Sequence, residues 1–134
     1  MAFRILDRLG ADAEDTADII AAIGNHDEST AFPVNAVAAA LILADKCDVR
    51  YTRVRNRDLA TFDIHDRVNF SVKDSDMIIT EDKSEIILSL VIDTEFCSVM
   101  DYFEIFIGRM LLCKKAAEKL GLRFRLVING QKLL

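Results

Sequence analysis

Long uninterrupted hydrophobic runs are missing from this sequence. Charged residues interrupt the apolar ones within MAFRILD at the start, so the apolar core of a secretory signal peptide is absent there. No stretch approaches the ~20 apolar residues that a transmembrane helix needs. These two absences predict a soluble, cytoplasmic protein with no membrane partner.

Cysteine and proline are also scarce. The three cysteines, Cys47, Cys97 and Cys113, are far apart and set within helical patterns. An odd number of distant cysteines favours reduced, buried thiols over a disulfide framework or a zinc knuckle. Pro33 is the only proline and predicts a turn between two helices.

The composition allows a core but opposes a broad electrostatic interface. Hydrophobic residues make up 51% of the 134 residues, enough for a real interior. Lys and Arg number 17 against 22 Asp and Glu, which gives a formal charge of -5. An acidic balance opposes a general affinity for nucleic acid or anionic membrane, so we expect no nucleic-acid partner.

The first third of the chain has the pattern of three helices. The first covers residues 2–9, and Asp12 is placed to cap a second helix that ends near Gly24. Asn35 is placed to cap a third helix through the apolar run at 36–44. Because the third helix is apolar on nearly every side, we expect it to be buried.

Beyond a loop at residues 50–63 the period changes from helical to two. The alternation predicts strands at 67–72 and 86–92, with a shorter strand at 77–80 between them. The polar gap at 73–76 has the length that joins antiparallel neighbours. We therefore expect a three-stranded meander.

A long helix is predicted next, capped by Thr94 and ending at Leu120 before Gly121. Its apolar residues recur at steps of three and four. They are Phe96, Val99, Phe103, Phe106, Met110, Cys113, Ala117 and Leu120, widened by Met100, Ile107 and Leu111. Two interpretations are open: the stripe covers the sheet, or it forms a seam between the copies of a homo-oligomer.

These elements predict an α+β fold: N-terminal helices, an antiparallel β-meander, a long helix and a final strand at 124–128. We divide it into a helical part with an arginine-rich loop, residues 1–57, and an α+β subdomain, residues 58–134.

Asp45 is the most informative single residue for chemistry. It ends an apolar helical run and lies one turn after Leu41, on a face that should otherwise be buried. A buried carboxylate needs a hydrogen bond, an ion pair or a metal. The alternatives are an ion pair with an arginine of the following loop and a ligand of a metal ion.

A second candidate lies at the end of the second helix, where His26 and Asp27 stand together. An imidazole nitrogen with carboxylate oxygens suits divalent zinc, manganese or iron. The alternative is that His26 and Asp27 are a surface pair that caps the helix. The C-terminus of a helix carries partial negative charge and tolerates a cation there.

Several segments resemble the C-terminal part of an HD-domain metal-dependent phosphohydrolase, and the resemblance covers essentially the whole chain. They are IGNHDE at 23–28, AALILADKCDVR at 39–50, RVRN at 53–56, FDIHDRVN at 62–69, YFEIF at 102–106 and ING at 128–130.

The resemblance implies a helical fold that holds a metal through an early histidine, a His-Asp dyad, sometimes further histidines, and a closing aspartate. His26 matches a later histidine, Asp45 matches the closing aspartate, and Asp27 is adjacent. The early histidine and the dyad have no counterpart and are expected before residue 1. In its complete form such a protein would use a divalent ion (Mn, Zn, Fe or Mg) to activate water and hydrolyse a phosphorylated small molecule, such as a nucleotide.

His65 and Asp66 form a literal His-Asp pair, but they follow Asp45 instead of preceding it. They fall where we predict the start of a strand, and adjacent strand residues point to opposite faces. We therefore interpret the pair as a structural link between loop and sheet.

The arginines of the loop have two interpretations. Arg53 and Arg55 are the best candidates for contacting a substrate phosphate. Alternatively the arginines neutralise nearby aspartates. The loop arginines are Arg50, Arg53, Arg55 and Arg57, and the aspartates are Asp45, Asp48, Asp58 and Asp63.

Two rival hypotheses accompany the phosphohydrolase. The chain is a non-catalytic regulatory or oligomerisation module, or it is an N-terminally truncated gene product. Because early ligands are missing, we expect this chain alone to be inactive and to hold its divalent ion weakly.

Overall fold

The fold is described by a computed structural model for residues 1–27, 30–56 and 58–134. Glu28 of the IGNHDE segment and Arg57, the last residue of the predicted helical part, lie outside the described residues, as does Ser29. The helices are α1 (Ala2–Arg8), α2 (Ala13–Gly24), α3 (Ala36–Cys47), α4 (Ile64–Ser71) and α5 (Val99–Lys119). The strands are β1 (Val72–Ile79), β2 (Glu85–Ile92), β3 (Arg123–Ile128) and β4 (Gln131–Lys132). No helix in these ranges is long and apolar enough to cross a membrane.

The predicted N-terminal helices are confirmed, with the predicted caps. The Asp12 carboxylate accepts a 2.8 Å hydrogen bond from the Asp15 N–H at the start of α2. The Asn35 side chain accepts one of 2.8 Å from the Ala38 N–H at the start of α3. The Asn35 amide also donates a 2.8 Å hydrogen bond to Asp18, which fixes the start of α3 against α2.

Residues 64–71 form a helix, so the strand predicted at 67–72 is wrong. The Asp63 carboxylate caps this helix by accepting a 2.7 Å hydrogen bond from the Asp66 N–H. Val68 is fully buried. A short segment with apolar residues at alternate positions fits both a strand and two turns of helix, and here the cap determines the outcome.

The first strand of the sheet is β1, and it runs through the polar segment 73–76 that we predicted to be a turn. It is the edge strand, and Lys73, Asp74 and Asp76 are exposed. Polar side chains are compatible with a strand at such an edge, where water covers them. In the part of the chain that the structure describes, two strands therefore precede the long helix, where we had predicted three.

The sheet has the order β1-β2-β3-β4 and is mixed. β1 pairs antiparallel with β2, β2 pairs parallel with β3, and β3 pairs antiparallel with β4. The parallel pair requires a crossover connection, which α5 supplies. The predicted α+β class is confirmed, with the order helices, strands, long helix and final strand.

The long helix begins later than predicted. Ser98, not Thr94, is its N-cap, and Ser98 and Asp101 form a reciprocal capping box. The predicted stripe is correct in part, because its members Met100, Ile107 and Leu111 are exposed. One face of α5 packs against β3 of the sheet and against α3. That face carries Tyr102, Phe106, Met110, Cys113, Ala116 and Ala117, all buried.

A single buried cluster joins the helical segment to the sheet. Ile42 and Leu43 of α3 belong to the same cluster as Leu88 of β2 and Phe106 of α5. The three cysteines are buried and free, as predicted, and the sulfurs of Cys47 and Cys113 lie 3.8 Å apart. The end of α3, which carries Asp45, is therefore fixed by this core.

Candidate metal and phosphate site

His26 lies just after the C-terminus of α2. Its Nδ1 lies 2.7 Å from the carbonyl oxygen of Ile23. Because a carbonyl only accepts hydrogen bonds, Nδ1 must carry the proton of this contact. In the neutral ring the lone pair is therefore on Nε2, the arrangement that metal-binding histidines use.

Asp45 occupies the last turn of α3, next to a buried lysine. The Lys46 ammonium group donates a 2.6 Å hydrogen bond to its carboxylate. The Lys46 side chain is 7% exposed, whereas that of Asp45 is 37% exposed. Asp45 thus neutralises a buried cation and still presents part of its carboxylate to solvent.

The charges that act on Asp45 include those of two other predicted site residues. Desolvation acts to raise the pKa of the Asp45 carboxyl. The hydrogen bond and charge of Lys46, followed by the charges of His26 and Arg53, outweigh it and lower the pKa below its ordinary value. His26 and Arg53 therefore both lie close enough to act on this carboxylate.

Asp48 pairs with two of the loop arginines that follow α3. Arg50 Nε lies 3.0 Å from one carboxylate oxygen of Asp48, and Arg53 Nη1 lies 3.5 Å from the other. Arg53 also donates a 2.9 Å hydrogen bond to the Asp48 backbone carbonyl. This arrangement agrees with the interpretation that arginines neutralise aspartates, although Arg53 is half exposed and stays within reach of solvent.

Asp27 and Arg55 make no contact with Asp45 within the described ranges. Asp27 is exposed, and its backbone carbonyl accepts a 3.0 Å hydrogen bond from the Thr30 N–H. Arg55 is exposed on the loop. Among the described residues, His26 and Arg53 thus act on Asp45 through their charges, without a hydrogen bond or ion pair to its carboxylate, and Asp27 and Arg55 do not.

A shallow cleft of about 250 Å³ lies beside the end of α3. Asp48 and Arg50 line one side, and Ser75 and Asp76 of β1 line the other. The Ser75 hydroxyl donates a 3.0 Å hydrogen bond to the Cys47 carbonyl, which holds β1 against the end of α3. The sheet thereby supports the helix end that carries Asp45.

A complete set of metal ligands is not formed within the described ranges, where no three His, Cys, Asp or Glu side chains are grouped so as to hold an ion. His26 and Asp45 supply one nitrogen and one carboxylate. Catalytic zinc sites use about three protein ligands. Two donors are therefore too few for these residues to fix an ion by themselves.

The second His-Asp pair has a purely local setting. His65 and Asp66 lie in the first turn of α4, not at the start of a strand, so the geometric reason we gave for excluding them is wrong. Asp66 lies 3.5 Å from the Asn56 amide, and the His65 carbonyl accepts a 2.9 Å hydrogen bond from Asn69. The first contact joins the loop to α4, and the second lies within α4.

Lys46 is the member of the group that our sequence reasoning missed. A lysine inside an otherwise apolar helical run, directly after an aspartate, was the available signal. Our sequence interpretation gave Asp45 an arginine or a metal as partner, whereas the adjacent lysine fills that role.

Comparison of the chain with protein-family models, with curated proteins and with solved structures finds no match in any of the three. The resemblance to the HD superfamily therefore stays a prediction that rests on the residues quoted for it.

Proposed function

We propose that this chain carries part of a metal-dependent phosphohydrolase site of the HD type, in which His26 and Asp45 are two of the metal ligands. Arg53 would contact the phosphoester. The proposal is supported by the charge of His26, which acts on the Asp45 carboxylate, and by the Ile23 carbonyl, which holds His26 Nδ1.

The protein's own residues have separate roles in this proposal. The Ile23 carbonyl orients the His26 ring and leaves Nε2 for the ion. Asp45 offers a carboxylate whose lowered pKa keeps it ionised at neutral pH. A bound divalent ion in a completed site would supply an activated water.

Arg53 supplies the positive charge for the substrate in this scheme. It is half exposed, and its guanidinium contacts Asp48 while acting on Asp45. A guanidinium forms paired hydrogen bonds with phosphate oxygens, so an entering phosphoester would compete with Asp48 for it. The substrate is thus expected to be a small phosphorylated molecule.

Because two donors are too few, we expect weak divalent-ion binding and hydrolysis no faster than background for this chain alone. Calorimetric titration with MnCl₂ and ZnCl₂ tests the metal part. His26→Ala and Asp45→Asn should each weaken binding at least about tenfold. His65→Ala is the matched control, because it removes the other histidine and should leave binding unchanged.

Two results would contradict this proposal in different ways. Equal binding by the parent, His26→Ala and Asp45→Asn would show that these residues hold no ion. Tight stoichiometric binding with turnover of p-nitrophenyl phosphate, both lost in His26→Ala, would show that the chain forms a sufficient site and not a part of one.

A further inference from the structure

The long helix α5 has an apolar face that nothing in the described chain covers. Met100 is 74% exposed, Ile107 47% and Leu111 54%. Separations of seven and four residues place them along one line of the helix, on the side away from the sheet. We call this line, with the exposed Glu104 and Lys115 beside it, the outer stripe.

Gly108 adjoins the outer stripe in the interior of α5. A glycine in a helix interior is unfavourable relative to alanine. A Cβ at this position would meet nothing within 4 Å, so packing within the described chain does not require a glycine. A second helix crossing at this point would benefit from the missing side chain, because small residues at the contact shorten the distance between helix axes.

The space beside Gly108 is a groove of about 340 Å³. Ala31 lines one side, and residues of α5 line the other: Ile105, Gly108, Arg109, Leu111, Leu112 and Lys115. The outer stripe therefore borders a depression at the middle of the helix, where an apolar side chain of a neighbour would fit.

The charges of the outer stripe are complementary to those of an identical stripe that runs in the opposite direction. Glu104 and Lys115 are separated by eleven residues, about three helical turns, so they lie on the same flank of the stripe. They also stand equally far from the point between Arg109 and Met110, near the middle of Val99–Lys119. Neither side chain has an ion pair within the described ranges.

We propose that the outer stripe of α5 binds the outer stripe of a second copy of this chain, with the two helices antiparallel about a two-fold axis. The axis passes between Arg109 and Met110, so Glu104 of each copy faces Lys115 of the other. Two identical ion pairs then flank the Ile107 and Leu111 side chains, as an isologous dimer requires, and Met100 lies beyond each pair at the end of the interface.

The same charges oppose a parallel pair. In parallel register Glu104 would lie opposite Glu104, and Lys115 opposite Lys115. Like charges across a helix pair select against that orientation. A second copy in antiparallel orientation is therefore the occupant that this surface fits, and the inference does not depend on the metal site.

Sedimentation equilibrium of charge-reversal variants tests the antiparallel dimer directly. The parent should approach a mass of twice 15.1 kDa as its concentration rises. Glu104→Lys and Lys115→Glu should each weaken dimerisation at least about tenfold, because each places like charges together twice. Mixing the two variants should restore the dimer, since both ion pairs re-form in the mixed species. Glu81→Lys, the same charge change in the exposed β1–β2 turn, should have no effect.

Gly108→Gln separates loss of the interface from loss of the fold. Glutamine is a good helix former and meets open space in the single chain, so the variant should melt no lower than the parent at a concentration where both are monomeric. Its bulk should abolish dimerisation. A parent that stays monomeric at high concentration would overturn the proposal. So would a dimer that Gly108→Gln and both charge reversals leave intact.

Discussion

The ammonium group of Lys46 donates a 2.6 Å hydrogen bond to the carboxylate of Asp45, its immediate neighbour in α3. The lysine side chain is almost fully buried, while the aspartate reaches solvent. A buried ammonium without a partner is strongly unfavourable. Asp45 therefore has a structural role that is independent of any metal.

This role predicts a pH-dependent loss of stability in Asp45→Asn. We expect a cost of about 1 kcal/mol at pH 7, which is modest because the carboxylate is partly exposed. The pKa of Asp45 is lowered below 3.8, so its charge contributes stability above that pH. The contribution is lost as the pH falls through the folded-state pKa. Urea unfolding at neutral and acid pH measures the difference, which should shrink below pH 3.8.

The double variant Asp45→Asn/Lys46→Met is the control for this explanation. It removes the buried ammonium together with its partner, so stability at pH 7 should return towards that of the parent. If the double variant is less stable than Asp45→Asn alone, Lys46 contributes to the fold through contacts other than its pair with Asp45.

Because the Tyr102 phenol is buried, we expect the protein to lose stability at alkaline pH. Burial raises the pKa of its phenol well above the ordinary 10.0. Such a group contributes stability below the unfolded-state pKa, and this contribution decreases as the pH rises above it. Tyr102→Phe should cost under about 1 kcal/mol at pH 7, since the hydroxyl donates only a 3.5 Å hydrogen bond to the Met110 sulfur.

Thermal unfolding of parent and Tyr102→Phe across pH 7 to 11 measures this effect, and the parent should lose more stability above pH 10.0. A remaining decline in the variant is expected from Cys113, because its hydrogen bond to Cys47 and its burial raise its thiol pKa. Parallel curves for the two proteins would contradict the role of Tyr102.

The position of the α5 cap predicts that alanine substitutions at two nearby hydroxyl residues lower the free energy of unfolding by different amounts. Ser98→Ala removes the acceptor for the Asp101 N–H and should lower the free energy of unfolding by about 1 kcal/mol. Thr94→Ala lies in the preceding turn and should change it by less than about 0.5 kcal/mol. Urea unfolding of both variants checks this; the reverse order would place the start of the helix at Thr94.

Two aromatic residues of α5 should also differ in how much stability is lost when each is replaced by alanine. Phe106 is 1% exposed, so Phe106→Ala should cost about 3–5 kcal/mol. Phe103 is only partly buried, and Phe103→Ala should cost clearly less. Circular dichroism during urea unfolding gives both values. Equal costs would indicate that Phe103 is covered in solution, by a second copy or by a different packing of the helix.

The sequence predicted the helices better than the strands, for physical reasons. Caps such as Asp12 and Asn35 are local signals that act within four residues, and both are present in the structure. Asp63 and Asp66 carried a similar signal for α4, but the alternation of residues 67–72 dominated our interpretation. The polar edge strand β1 resembles a loop because one of its sides has no neighbouring strand.

The candidate site was predictable only in part. The resemblance to the HD superfamily implied that His26 and Asp45 approach each other, which depends on how α2 and α3 pack. The partner of Asp45 had only a weak signal, the lysine directly after it in an apolar run, because neighbouring helical residues usually diverge. Whether Arg53 or Arg55 reaches Asp45 depends on the path of the loop, which has no periodicity to indicate it.

Paramagnetic broadening by Mn²⁺ locates a divalent ion on the protein directly. Mn²⁺ broadens NMR signals near its binding site, so a ¹⁵N-labelled chain titrated with MnCl₂ reports the position of the ion. We expect the amides around His26 and Asp45 to broaden first, and this selective effect to disappear in His26→Ala but not in His65→Ala. Broadening that is uniform over the acidic surface, or that centres on other carboxylates, would contradict the assignment of His26 and Asp45 to one metal site.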